Sequence, residues 1–265
     1  MEPAYLEDLA HIHDDSFGFI AEGAATTLVD LLHRQNIHEG LVVELAVGSG
    51  ISSEILVANG FDVLGYDISP SMIELAEGRL ANLEQPVAPY PGALVQRHGT
   101  AHFEVASLYD AEIPPCVAVT GVGEAFNYRF DPRAGFDSLK LIICRAAQAI
   151  APRGVFLFDI AQPGRAHPRL EHHYWEGAGW RVTSETIEST ADRILQRQLT
   201  TFRTIDGEER VTKELHTLAL YDHEEVFVAL TSEGFIPHTL ASYADFYRFG
   251  LGHGAFAAYK PPEKP

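Results

Sequence analysis

Residues 41–67 read LVVELAVGSGISSEILVANGFDVLGYD, and the order of apolar runs, glycines and a final acid in this stretch decides the fold. The run 41–46 predicts a strand, Gly48-Ser49-Gly50 a tight turn, and 51–59 a helix. A second apolar run, 61–66, ends in Asp67. Strand, turn, helix and strand in this order predict one βαβ unit with a right-handed crossover.

This unit has the parts of a nucleoside-binding site. Glycines in the turn let the backbone approach a ligand closely, and the N-terminal amides of the following helix lie beside that turn. A carboxylate at the end of the second strand can accept hydrogen bonds from both hydroxyls of a ribose. The stretch therefore predicts a nucleoside site with Asp67 at the ribose.

Composition and net charge limit the kinds of partner that the chain can be expected to bind. Its 265 residues suit one α/β domain with an elaboration or a small cap, and a hydrophobic content of 46% supports a sizeable core. With 19 basic and 37 acidic residues the formal charge is −18, which repels nucleic acid and anionic lipid heads. Neutral or cationic small substrates fit this charge better.

The cysteines and the N-terminus predict a cytoplasmic protein. Cys116 and Cys144 both lie in apolar stretches, as reduced core thiols do, and do not suggest a disulfide framework. The acidic first fifteen residues lack the apolar segment of a signal peptide. No apolar stretch reaches the roughly 18–20 residues of a membrane span.

The first 160 residues alternate between helix and strand patterns. Five βα units in succession predict a mostly parallel sheet with helices on both faces. The other expected elements here are a lid or short helix at 4–15, helices at 17–35, 69–83 and 136–150, a loop at 84–100, and strands at 101–106, 116–120 and 155–160.

The pattern changes after residue 160. Residues 161–179 read as loop, and β-favouring runs follow at 180–190, 194–205 and 208–221. Asp206-Gly207 predicts a two-residue hairpin turn, which pairs Arg197 with His216. Alternation along the strands then places Arg197, Glu214 and His216 on one face. A helix at 223–232 and two antiparallel closing strands, at 235–243 and 253–259, complete the expected chain.

The whole arrangement resembles the class I S-adenosylmethionine (SAM)-dependent methyltransferases. The motifs that carry the resemblance are Glu44-Leu-Ala-Val-Gly48-Ser49-Gly50 and Gly65-Tyr-Asp67-Ile-Ser-Pro-Ser-Met72. The resemblance implies an α/β fold: a Rossmann-like, mostly parallel seven-stranded sheet with helices on both faces and an antiparallel β arm inserted after strand five. The segments are then a lid and SAM-binding core (1–160), an arm or cap over the active site (161–221) and the C-terminal part of the core (222–265).

Two positions depart from the family pattern. Ala46 stands where the first glycine is common, and it costs little only if the backbone φ there is negative. Ser107 stands where an acid often contacts the adenine amine, although a serine can still accept a hydrogen bond. Pro115-Cys116 begins strand four and does not follow it, so no cysteine nucleophile of the cytosine-methylating type is expected.

The resemblance implies SAM as cofactor and a set of residues around it. Asp67 would bind the ribose, Gly48 and Gly50 would lie at the methionine part, and Ile68 and Met72 would flank adenine. Met72 as core packing and Asp67 as a helix cap are the structural alternatives. The full predicted cofactor set is Glu44, Ala46, Gly48, Gly50, Asp67, Ile68, Met72, Ser107, Leu108 and Gly121.

The catalytic candidates come from the arm and from the loop after strand four. His216 is the predicted general base, with Glu214 beside it, unless both lie on a solvated arm or at a contact between two copies. Glu124 follows strand four, where a parallel sheet opens at its carboxyl end. The predicted catalytic residues are His216 and Glu124, and the predicted substrate-binding residues are Asn127, Tyr128 and Glu214; Trp175 and Trp180 could also wall a pocket.

Other functions would require sequence features that differ from those found here. A nicotinamide-dependent oxidoreductase needs a third glycine where Ser53 stands, although Asp67 suits either class. The His11–Asp15 cluster has no third histidine nearby, so no metal is expected. A SAM-binding protein without catalysis stays open. The expected function is methyl transfer from SAM to a small-molecule N or O acceptor, without nucleic acid or membrane, in a protein that could form a homodimer.

Overall fold

The computed structural model describes residues 4–81, 98–167 and 169–263. Its helices are α1 (Glu7–Ser16), α2 (Phe19–Arg34), α3 (Ile51–Ala58), α4 (Pro70–Ala81), α5 (Phe136–Ala149) and α6 (His223–Ser232). Its strands are β1 (Gly40–Leu45), β2 (Phe61–Asp67), β3 (Ala101–Val105), β4 (Cys116–Gly121), β5 (Ile150–Ala161), β6 (Glu171–Gly177), β7 (Trp180–Ser189), β8 (Ile194–Ile205), β9 (Glu208–Ala219), β10 (Ile236–Leu240), β11 (Ser242–Tyr243), β12 (Tyr247–Arg248) and β13 (His253–Tyr259).

Seven strands form the central sheet, in the order β10-β13-β5-β4-β1-β2-β3. The pairs β1–β2, β1–β4, β2–β3 and β4–β5 are parallel. Strand β13 is antiparallel both to β5 and to β10. The predicted mostly parallel seven-stranded sheet, with its last two strands paired antiparallel, is confirmed.

Apolar side chains cover both faces of this sheet. On one face α5 and α6 pack against β4, β5 and β13, and on the other α2, α3 and α4 pack against β1 and β2. Each helix buries one stripe of apolar residues, as helices of a doubly wound fold do. Buried members of the two layers include Leu139, Ile143, Val226 and Phe256 on the first face, and Leu28, Leu32, Leu56 and Ile73 on the second.

Strands β6 to β9 form a separate antiparallel sheet, called the arm below. Its hairpin turns at Asp206 and Gly207, with φ of 51° and 85°. The predicted register is confirmed, since Arg197 pairs with His216 and Leu199 with Glu214. The loop predicted over 161–179 is wrong for β6. That strand is exposed along both faces, so its side chains lack the apolar alternation that marks a half-buried strand.

Several boundaries also differ from the prediction. Strand β5 begins at Ile150 instead of 155, and Arg153 lies inside it at a φ of 70°. The expected closing strand over 235–243 is divided between β10 and β11. Residues 84–97 of the expected loop lie outside the described residues. Within the described parts of the chain, no helix is long and apolar enough to cross a bilayer.

Candidate active site

A cavity opens at the carboxyl ends of β1, β2, β3 and β4, the edge where open α/β sheets bind ligands. It encloses about 760 Å³ of empty space, open solvent at its mouth included. Its lining consists of Tyr5, His13, Ala46, Gly48, Asp67, Ile68, Met72, Ala106, Ser107, Leu108, Tyr109, Val122, Gly123, Ala125, Tyr128, Phe130 and Asp131.

Asp67 is the acid at the end of β2, and it faces this cavity. Its Oδ2 accepts a hydrogen bond from the Gly48 amide at 2.9 Å, and its Oδ1 accepts one from the Ser69 amide at 2.8 Å. Each oxygen therefore keeps acceptor capacity for a ligand hydroxyl. Burial raises the pKa of Asp67 to about 6, although the nearby backbone amides of Ser69, Gly48 and Ile68 oppose this rise.

This raised pKa predicts that a ribose-containing ligand binds more weakly in acid. Because ribose hydroxyls donate to the ionised carboxylate, binding favours the deprotonated form, and affinity rises as the pH rises through about 6. We expect S-adenosylhomocysteine to bind roughly 10-fold more weakly at pH 5 than at pH 7.5 by calorimetry. The Asp67→Asn protein should bind more weakly and lose this dependence; an Asp67→Asn protein with the same pH profile would contradict the assignment.

The loop after β1 contains three left-handed residues: Ala46, Gly48 and Gly50 have φ of 66°, 59° and 77°. A side chain on Gly48 would extend into open space, so its absence leaves the backbone accessible from the cavity. A Cβ on Gly50 would lie 3.0 Å from the Ala76 Cβ, so this glycine permits α3 and α4 to pack closely. Ala46 thus bears the left-handed conformational cost that glycine avoids.

Replacing Ala46 by glycine is expected to stabilise the protein. The left-handed conformation costs an alanine roughly 1–2 kcal/mol, and the greater flexibility of glycine in the unfolded chain offsets part of that gain. A rise in melting temperature of about 1–4 °C is expected by calorimetry. Ala106→Gly is the matched control, since Ala106 also lines the cavity but does not have a positive φ. The control should lower the melting temperature, and a fall in both variants would contradict the strain argument.

Glu44 lies behind the loop and does not line the cavity. Its carboxylate accepts a hydrogen bond from the Ser53 hydroxyl, and burial raises its pKa to about 7 against the hydrogen bonds from Ser52 and Ser53. Glu44 therefore joins β1 to the first turns of α3. Ser53 stands where a dinucleotide-binding loop has its third glycine, and here its hydroxyl binds the Glu44 carboxylate.

Ile68, Met72, Ser107 and Leu108, the residues predicted to surround adenine, line the cavity. Phe130 and Asp131, which the sequence did not indicate, line it as well. Gly121 does not line it; a Cβ at this glycine would lie 2.4 Å from the Phe126 ring, so its role is packing. Neither Phe130 nor Asp131 belongs to a motif, and only the folding of the loop after β4 brings them here.

The N-terminal residues 4–16, called the lid below, cover the cavity. Tyr5 and His13 line it, and the Tyr5 carbonyl accepts a hydrogen bond from the Ser69 hydroxyl at 2.9 Å. Asp8 is buried and forms ion pairs with Arg203 and Arg210 of the arm. Burial lowers the pKa of His13 to about 4, so this imidazole is neutral at pH 7.

His216 is buried under the lid and lies outside the cavity lining, behind the rings that form it. Its Nε2 lies 3.0 Å from Glu214 Oε2, while Glu214 Oε1 accepts the Leu6 amide of the lid at 3.1 Å. The rings of Tyr5, Tyr128 and Phe130, all at the cavity wall, surround it at centroid distances of 5.2, 5.6 and 4.9 Å. Among the described residues Glu214 is its hydrogen-bonding partner, so Nδ1 is unengaged. The predicted pair is neither solvated nor exposed.

Glu124 lies beside the cavity and outside its lining. Its Oε1 lies 2.5 Å from both Arg165 Nε and His253 Nε2, and its Oε2 lies 2.9 Å from Arg197 Nη2. Burial favours the protonated form, but Arg197, His253 and Arg165 together hold the pKa well below its usual range. This carboxylate joins the core to the arm through Arg197, and the geometry does not favour the predicted catalytic role.

Asn127 is likewise placed as a structural residue. Its Nδ2 donates to the carbonyls of Ala161 at 2.9 Å and Ala219 at 2.6 Å, and its Oδ1 accepts the Ala161 amide at 2.9 Å. Because its amide is committed to the ends of β5 and β9, the predicted substrate contact is not supported. Trp175 and Trp180 also lie outside the lining; Trp180 packs beneath the lid.

The geometry also bears on two alternatives, a metal site and a nicotinamide-dependent enzyme. In the described parts of the chain, no group of three or more His, Cys, Asp or Glu residues is placed to hold a metal ion. Dinucleotide-binding sheets run 3-2-1-4-5-6 with the sixth strand beside the fifth. Here the antiparallel β13 lies between β5 and β10, which disfavours the nicotinamide-enzyme alternative.

Comparison with known proteins identifies the fold. No protein-family model and no curated protein sequence matches the chain. A SAM-dependent methyltransferase from Clostridium acetobutylicum superimposes with a TM-score of 0.73 and 16% identity, over 96% of this chain and 98% of that one. The CcbJ methyltransferase from Streptomyces caelestis gives 0.73 and 15%, over 99% and 100%. A SAM-bound amino pentose methyltransferase from Micromonospora echinaspora gives 0.65 and 17%, over 98% and 99%. The chain has the class I SAM-dependent methyltransferase fold.

Proposed function

We propose that this protein is a SAM-dependent methyltransferase that acts on a nitrogen or oxygen atom of a small molecule. The observation that carries the proposal is Asp67, which ends β2 inside the cavity with acceptor capacity on both carboxylate oxygens. The likeness to solved SAM-dependent methyltransferases over nearly the whole chain supports it.

The chemistry of the cavity lining supports SAM as the ligand. Asp67 would take the ribose hydroxyls, Gly48 leaves space against the backbone, and Ile68 and Met72 offer apolar surface to adenine. When bound, SAM supplies an electrophilic methyl group on a sulfonium. A carboxylate paired closely with the sulfonium would stabilise the ground state more than the transition state. Asp67 and Asp131 are the carboxylates of the described lining, and both lie at the proposed nucleoside end.

The pair His216–Glu214 is the proposed proton acceptor. In the tautomer in which Nε2–H donates to Glu214, Nδ1 keeps its lone pair for the proton of an acceptor hydroxyl or ammonium. A general base of this kind typically contributes ~10²–10⁴-fold. The Leu6 amide of the lid holds the second oxygen of Glu214, so lid and base are coupled. Correct alignment of the reactants can supply roughly 7–11 kcal/mol more.

The acceptor is proposed to be small, because the lid covers the cavity and Arg203 and Arg210 of the arm hold the lid through Asp8. Tyr128 lines it, and its hydroxyl lies 3.3 Å from that of Tyr5, so this hydroxyl pair is the proposed contact for a polar acceptor. The formal charge of −18 disfavours nucleic acid. A cytoplasmic location and a homodimer formed through the arm stay predictions from the sequence.

Methyl transfer can be tested directly with methyl-labelled SAM. A panel of small amines and alcohols should include amino sugars, since one structural neighbour is an amino pentose methyltransferase. Label should appear in at least one acceptor and not in a no-protein control. Tight SAM binding without transfer to any member would favour a SAM-binding protein without catalysis. Binding of nicotinamide dinucleotides with no binding of SAM would contradict the proposal.

A further inference from the structure

Ser107 and Asp131 form a buried pair at the proposed adenine end of the cavity. The Ser107 hydroxyl donates to Asp131 Oδ2 at 2.6 Å, and each residue is only 5% exposed. Both line the cavity, although one follows β3 and the other belongs to the loop after β4. A carboxylate therefore lies one hydrogen bond behind the position where the family pattern has an acid.

The direction of the Ser107 proton follows from the surroundings of Asp131. Oδ1 accepts from the amide and the Nε of Arg133, both at 2.9 Å, and Oδ2 accepts from Arg133 Nη2 at 2.5 Å. These hydrogen bonds hold the pKa of Asp131 below its usual range. An ionised carboxylate only accepts, so the serine must be the donor.

The Ser107 hydroxyl can therefore only accept a hydrogen bond from a ligand in the cavity, because its own proton is donated to Asp131. With the serine as a fourth donor, the carboxylate of Asp131 has its acceptor positions filled, so the serine oxygen is the atom left for a ligand. The Tyr109 amide approaches that oxygen at 3.4 Å, which occupies at most one of its two lone pairs.

We propose that the Ser107–Asp131 pair selects a purine with an amino group, so that the site takes adenosyl ligands and rejects inosyl ones. The inference rests on the proposed function and adds Asp131 as a positioning residue. An amino group can donate to the serine lone pair. The carbonyl oxygen of hypoxanthine would instead face a lone pair of the Ser107 oxygen, near the negative charge of Asp131. Both oxygens would then be buried without a donor, which strongly disfavours binding of the inosyl ligand.

The test is calorimetric binding of S-adenosylhomocysteine and S-inosylhomocysteine to four proteins: wild type, Asp131→Asn, Ser107→Ala and Asp110→Asn. Asp110 is the matched control, since its carboxylate also pairs with Arg133 but does not bond to the Ser107 hydroxyl. Its backbone amide donates to the Ser107 carbonyl, and the substitution leaves that amide in place. The wild type and the control should prefer the adenosyl ligand by about 100-fold. In the Asp131→Asn protein the new amide can donate to the serine, whose own proton can then turn toward the ligand, so the preference should fall below about 10-fold. Ser107→Ala should lose the acceptor and show the same fall.

The outcomes separate this inference from the function on which it rests. If the wild type binds both ligands equally, or if Asp131→Asn and Ser107→Ala keep the full preference while melting like the wild type, the purine-selecting pair is overturned and SAM binding stands. If the wild type binds neither ligand, the proposed function fails and takes this inference with it. A loss of preference in Asp110→Asn equal to that in Asp131→Asn would assign the effect to Arg133 and would also overturn the pair.

Discussion

Replacing Asp67 by alanine is expected to weaken the binding of S-adenosylhomocysteine by about 10²–10³-fold, because two charge-assisted hydrogen bonds of roughly 1.5–3 kcal/mol each are lost and are not fully additive. The carboxylate is buried and fixed by the amides of Gly48 and Ser69, so it is already oriented before a ligand arrives. Titration calorimetry of the variant measures the effect.

The same substitution also removes the acceptor of two backbone amides, so folding must be checked separately. Asp67→Asn keeps the size of the side chain and should still lose most of the affinity, since an amide accepts weaker hydrogen bonds than a carboxylate. Asp30→Ala serves as the control, because Asp30 is exposed and pairs with Arg34 on α2. Unchanged affinity in a well-folded Asp67→Ala protein would remove the ribose assignment.

Replacing His216 by alanine is expected to lower turnover by roughly 10²–10⁴-fold while leaving SAM affinity within about twofold. The imidazole lies against cavity-lining rings and has one nitrogen committed to Glu214, whereas Asp67 and Ser107 at the nucleoside end do not hydrogen-bond to it. Single-turnover rates with an acceptor found by the labelled-SAM screen, together with calorimetric SAM affinities, measure the two quantities separately.

Controls distinguish a base from a packing residue. His216→Asn retains a polar side chain in the buried site, and added imidazole should restore part of the rate of the alanine variant. His223→Ala is the matched histidine control, since His223 is on α6 and hydrogen-bonds with Thr239 away from the cavity. Full activity in a folded His216→Ala protein would show that the histidine only packs against Tyr5, Tyr128 and Phe130.

The central sheet and the hairpin register were predictable because local patterns specify them. Apolar runs separated by helical periods predicted the parallel core, and Asp206-Gly207 fixed which residues of β8 and β9 face each other. Strand β6 was missed because it is exposed on both faces and is held mainly by pairing with β7. Pairing energy of this kind leaves no period in the sequence.

The same distinction between local patterns and distant contacts separates the site residues that were predicted correctly from those that were not. Asp67, Gly48 and Met72 lie at the cavity because short motifs place them at the carboxyl ends of β1 and β2. Glu124 also follows its strand as expected, but its φ of 61° and its distant partners Arg165, Arg197 and His253 hold it outside the cavity. Contacts between residues far apart in the sequence decide such roles.

The residues that sequence reasoning missed come from the lid and from the loop after β4. Tyr5 and His13 reach the cavity because Asp8 pairs with the arm and Asp14 pairs with Arg79 of α4. Asp131 reaches it because Arg133 and Ser107 hold its carboxylate. Neither arrangement has a sequence signature.

The most direct test of the account is a calorimetric titration of the purified protein with SAM, S-adenosylhomocysteine, NAD⁺ and NADP⁺ under identical conditions. A SAM-binding protein should bind the two adenosyl-sulfur ligands with micromolar affinity and should bind neither dinucleotide. Binding of a dinucleotide alone would contradict the methyltransferase assignment.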